Sequence, residues 1–104
     1  SLGMLQKGWV THTAAYTAIS GDQIFCDTTA APFNINLPAG AIGDEVTIVD
    51  SKNHFNSNNL TVVRNGADKI VGLAANLTLS AQGQAITLVY TNATVGWTYK
   101  TNTA

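Results

Sequence analysis

Charge is what this chain has least of. Only 11% of its 104 residues are Asp, Glu, Lys or Arg, against roughly 25% in an ordinary soluble domain, and Thr and Asn take the places that Lys and Glu would fill. Five basic residues set against six acidic ones leave a net charge of −1. The basic residues are dispersed, so the chain has no electrostatic footprint for nucleic acid. A neutral exterior suits a protein whose surface meets identical copies, because unpaired charges are costly to desolvate at such contacts. Cysteine is confined to Cys26, which excludes an intrachain disulfide. It reads as a small buried hydrophobe in a strand of a protein that matures in a reducing cytosol. With one cysteine and only His12 and His54 as histidines, no zinc-ligand spacing arises. No apolar run approaches the roughly 20 residues of a membrane helix, and no basic-then-apolar signal opens the chain. Neither membrane insertion nor glycosylation at the Asn-x-Thr triplets of Asn59, Asn76 and Asn92 is expected.

What is present is alternation. Residues 34–50, NINLPAGAIGDEVTIVD, hold two alternating strands around a Pro/Gly-rich reversal. Ile35 and Leu37 share one face and Asn34 and Asn36 the other; after the turn Val46 and Ile48 point inward, with Glu45 and Thr47 outward. Pro38 stops the first strand, and Gly40 and Gly43 allow the backbone of the turn. The same reading makes residues 8–19 a Thr- and aromatic-rich strand, followed by short strands over 23–27, 33–37, 45–50 and 60–64. Asn65-Gly66 signals a hairpin into 69–71, and strands at 77–80, 85–91 and 97–101 complete the chain. The spacing predicts an all-β fold, an antiparallel β-sandwich or jelly roll of roughly eight short strands. Residues 1–8 read as an N-terminal leader or linker and 9–104 as a single β domain. Ser1-Leu2-Gly3 ahead of Met4 reads either as residues added before a native start or as the edge of an excised fragment. Val46, Ile48, Leu60, Val62, Leu77, Leu79, Ile86 and Leu88 are the expected core.

Catalytic constellations are missing. Ser20-Gly21-Asp22 and Ser80 lack a nucleophile elbow. The acids Asp22, Asp27, Asp44, Glu45, Asp50 and Asp68 mostly sit beside turns, where carboxylates bond backbone amides, rather than in a spacing that asks for a glycosidase pair. Asp50 with Asn53, Asn56, Asn58 and Asn59 offers oxygen atoms to a hard cation, but only one is a carboxylate, so a self-bonded loop is expected and no metal or cofactor. Trp9, Tyr90, Trp97 and Tyr99 are expected in the core or between subunits. Residues 51–59, SKNHFNSNN, form the longest irregular segment. Within it His54, Phe55, Asn56 and Asn58 are the candidate binding residues, with Phe55 as an apolar ring exposed in a polar loop.

The order of pieces GDQIFCDTT, FNINLPAGAIGDEVTIVD, NLTVVRNGADKIVG and ITLVYTNATVGWTYK resembles small β domains of bacteriophage virion appendages: tail fibres, tailspikes and head fibres or decoration proteins. The elements that carry the resemblance are Gly21-Asp22, Asp27-Thr28, Leu37-Pro38, Gly43-Asp44, Val49-Asp50, Asn65-Gly66, Ile70 with Gly72, and Gly96-Trp97. All are turn or core residues, and the resemblance spans about residues 16–100. It implies a non-enzymatic homotrimer that assembles in the host cytoplasm, joins other virion proteins and contacts a host cell-surface glycan. The alternative from another class is a carbohydrate-binding module for host polysaccharide; a small glycosidase or lyase is weaker.

Overall fold

The computed structural model describes residues 7–104, and most of the expected leader lies outside them. Every regular element among the described residues is a β-strand. In chain order these are β1 (Trp9–His12), β2 (Tyr16–Thr17), β3 (Gln23–Cys26), β4 (Phe33–Asn36), β5 (Glu45–Asp50), β6 (Leu60–Val63), β7 (Leu77–Leu79), β8 (Ala85–Asn92) and β9 (Gly96–Asn102). They form a five-stranded sheet in the order β1-β3-β5-β8-β9 and a four-stranded sheet in the order β2-β4-β6-β7.

The first six strands alternate between the two sheets, so the chain climbs in three coils: β1 with β2, β3 with β4, β5 with β6. Each strand pairs in parallel with the one a coil earlier, Ile24 against Ile48 in one sheet and Ile35 against Val62 in the other. Only then does the chain reverse. β7 runs antiparallel to β6, β8 antiparallel to β5 and β9 antiparallel to β8.

The expectation of antiparallel pairing is therefore corrected, since four of the seven strand pairings are parallel. Parallel neighbours need a crossover between them, and here the crossover is a strand of the opposite sheet. The reversal over residues 37–44 is not a hairpin but a corner that carries the chain from β4 in one sheet to β5 in the other. Two further expectations change. Residues 8–19 divide into β1 and β2, which lie in different sheets. Asn65-Gly66 closes a turn, with the Asp68 amide donating to the Asn65 carbonyl at 3.0 Å, but no strand follows it. Ile70 makes only isolated bridges to Leu73 and Trp97, and β6 waits until residue 77 for its antiparallel partner.

The alternation itself places the core. Val46, Ile48, Leu60, Val62, Leu79, Ile86 and Leu88 are buried and belong to one apolar cluster with Ile24, Ile35, Leu37, Phe55, Ile70 and Trp97. Leu77 packs against that cluster but is only partly buried, because β7 is the edge strand of its sheet. Trp97 is positioned by Gly96, whose φ is +76° and whose hypothetical Cβ would stand 1.9 Å from the Lys69 carbonyl oxygen. Only glycine fits there.

Candidate functional site

Asp50, the last residue of β5, is turned inward and 5% exposed. A carboxylate at that depth needs partners, and it has three. Oδ1 accepts the His54 amide at 3.0 Å, and Oδ2 accepts the Phe55 amide at 3.0 Å and the Gly83 amide at 2.9 Å. The loop over residues 51–59 is thus wrapped around one side chain. Ser57 and Asn58 amides both donate to the His54 carbonyl, at 3.0 and 2.8 Å, and Asn58 Nδ2 donates to the Thr28 carbonyl at 2.8 Å.

This arrangement overturns the expected exposure of Phe55, which is 0% exposed. Donating two consecutive amides to Asp50 folds the chain back on itself and drives the ring into the core. Of the other candidate binding residues, His54 is half-buried with Nδ1 3.1 Å from the Lys52 carbonyl, Asn58 is engaged as above, and Asn56 is exposed. The four do not converge on a surface platform.

The remaining aromatics separate cleanly. Trp97 and Tyr90 are buried and meet edge to face with centroids 5.6 Å apart; Tyr99 is partly buried and packs against the core cluster. Trp9 stands outside, on the outer face of the five-stranded sheet. It stacks on Phe25 with centroids 4.5 Å apart and planes within 14°, and remains 44% exposed.

A second carboxylate node lies near the start of the chain. Asp22 accepts the Ile19 amide at 2.9 Å, the Tyr16 hydroxyl at 2.8 Å and Lys7 Nζ at 3.2 Å. Burial works to raise its carboxyl, but these three donors outweigh burial and hold it below the ordinary 3.8. The same bond to Asp22 raises the Tyr16 hydroxyl above 10.0. Beside this node a polar cleft of about 160 Å³ opens, lined by Lys7, Gly21, Asp22, Gln23, Glu45 and Thr47.

All six carboxylates of the chain are engaged. Besides Asp50 and Asp22, Asp27 accepts the Thr29 amide, Asp44 the Ala41 amide and the Ser20 hydroxyl, and Asp68 the Gly40 amide. Glu45 pairs with Lys100 at 3.0 Å. Cys26 is buried, and that burial, with a smaller contribution from the Asp50 charge, pushes its thiol up to about 12. Such a thiol is not a nucleophile at neutral pH. Among the described residues no group of three or more His, Cys, Asp and Glu is placed to hold a metal ion, and no helix is long and apolar enough to cross a membrane.

No protein-family model matches the chain, and no curated protein matches it.

Proposed function

We propose that this chain is a structural domain of a bacteriophage virion appendage, a tail-fibre domain or a capsid-fibre or decoration domain, that assembles as a homotrimer. In this reading the two sheets form a β-sandwich rather than a jelly roll, since a jelly roll is antiparallel throughout. The observation that carries the proposal is the outer face of the four-stranded sheet. Register and burial put Thr17, Asn34, Asn36, Thr61, Val63 and Thr78 on that face, opposite the buried Ile35, Leu60, Val62 and Leu79. It carries no charged side chain. A neutral pleated face can be desolvated against a copy of itself without stranding an ion, which is what a subunit contact requires. The resemblance to phage appendage domains supplies the threefold stoichiometry and the virion setting.

Most of the carboxylates bond backbone amides of nearby turns and loops, the structural use of such side chains, which supports a non-catalytic role. With Phe55 buried, the carbohydrate-binding alternative lacks its expected stacking ring in the loop of residues 51–59.

The test is the sedimentation mass of Thr61→Glu beside the parent. Three like charges brought together at the centre of the contact should convert a trimer into monomers while circular dichroism keeps the strand signal. A parent protein that is already a monomer, or a variant that remains a trimer, would contradict the assignment of this face.

A further inference from the structure

We propose that the cleft beside Trp9, on the outer face of the five-stranded sheet, is a binding subsite for one neutral pyranose unit of a polysaccharide. It lies on the sheet opposite the face assigned to subunit contact and so points away from the partners. The proposal rests on the virion reading only for its setting, since the cleft is formed within one chain.

Register builds the cleft. Trp9, Gln23 and Thr47 stand side by side across β1, β3 and β5, and all three point outward, because the alternate residues Ile24 and Ile48 are buried. Just ahead of β1 and β3 stand Lys7 and the turn residue Gly21, and the Gly21 amide donates to the carbonyl of Glu45, the first residue of β5, at 2.7 Å. The glycine has no side chain, so the surface sinks between Lys7 and Glu45. Gly21 has φ +89°, and a Cβ there would meet Lys7 Cδ at 3.4 Å. A left-handed backbone keeps any other residue from filling the dip cheaply. At about 160 Å³ the cleft has room for one sugar ring.

Chemistry selects the kind of ring. Among the described residues the charges at the rim are already paired, Lys7 with Asp22 and Lys100 with Glu45, which favours a neutral sugar over a uronic acid, a sialic acid or a phosphate. What the rim offers is carboxylate oxygens, the Gln23 amide and the Thr47 hydroxyl. This mixture of acceptors and donors suits sugar hydroxyls, which both give and accept hydrogen bonds. Gln23 Nε2 also donates to the Lys7 carbonyl, which holds the amide and the rim together. Trp9 supplies the apolar half of the recognition. One face of its indole is stacked on Phe25, so its rotamer is set before a ligand arrives and little entropy is lost on binding. Trp9 does not line the cleft itself but is the register neighbour of Gln23, which does, and its exposed ring can take the C–H face of a pyranose that extends beyond the cleft.

The test uses the full chain and a set of neutral tetrasaccharides built from glucose, mannose or galactose, with tetragalacturonate as the anionic control, followed by isothermal titration calorimetry, which reads the parent and every variant alike. At least one neutral tetrasaccharide should bind saturably. Trp9→Ala should weaken that binding roughly tenfold or more, Gln23→Ala should also weaken it, and Trp9→Phe should retain part of it; His54→Ala should leave it unchanged. Circular dichroism on each variant keeps loss of fold separate from loss of binding. Binding by none of the neutral sugars, binding by tetragalacturonate alone, or full affinity in Trp9→Ala would each overturn the proposal. Light scattering on the same samples separates it from the assembly reading: a monomer that binds sugar would defeat only the trimer, and a trimer that binds none would defeat only the subsite.

Discussion

Asp50 joins two separate loops through one side chain. Its two oxygens take amides from both residues that open the turn of the 51–59 loop and from Gly83, the residue that brings the chain into β8. Bonds from neutral donors to a buried carboxylate are each worth more than an ordinary backbone bond. Asp50→Asn keeps the shape but replaces one acceptor with a donor facing amides, and should cost about 3 kcal/mol, measured as a lower urea midpoint with unchanged slope. The same substitution should release Phe55, seen as loss of its ring contacts by NMR. In the sequence, an Asp closing a strong strand ahead of an Asn-rich loop already pointed to a self-bonded loop. What could not be read was the fate of Phe55. Burial of a ring in the most polar segment of the chain depends on a carboxylate folding the backbone over it, and that is a tertiary arrangement with no local signature. Trp9 shows the converse. It is expected in the core or between subunits, and the core is ruled out: β1 is the edge of its sheet and the indole sits on the outer face, 44% exposed.

At the scale of the elements, alternation was legible and partnership was not. The inward set of β5, Val46 and Ile48, follows from side-chain period alone, and the structure buries both. Which strand lies beside β5 does not follow, because a hairpin and a corner that changes sheet share the same period-two pattern on either side of a Pro/Gly break. The separating clue was length: eight residues between β4 and β5 exceed the two to five usual of a hairpin loop. Position in the sheet should also grade the cost of truncation. Ile48→Ala, in the middle of the five-stranded sheet, should lose about 3 kcal/mol, whereas Leu77→Ala, on the edge strand β7 and half-exposed, should lose about 1 kcal/mol; equal losses in chemical denaturation would contradict the sheet order. The first coil has its own dependence on pH. Asp22 ties Ile19, Tyr16 and Lys7 together, and its folded pKa lies below its unfolded value of 3.8. The stability it lends is therefore fully present above about pH 4 and is lost as the pH falls through the depressed folded pKa. Hydrogen exchange below pH 3 should show β1 and β2 opening before β5 and β8, and Asp22→Asn should flatten that acid dependence while removing part of the tether at neutral pH.

The whole molecule has two unlike outer faces. One sheet presents Thr, Asn and Val without charge. The other presents Trp9, the paired ions Glu45–Lys100 and the cleft at Gly21. Low charge was visible in the composition, but its concentration into one charge-free face required the register of both sheets. A trimer built on that face would bury the neutral sheets toward a common axis and leave the indole and the cleft outward. The most direct measurement is the light-scattering mass of the unmodified chain at neutral pH, followed through dilution. A mass near three times the 10.9 kDa of one chain, falling only at the lowest concentrations, is the expected result; a mass of one chain throughout would contradict the assembly on which the proposed role depends.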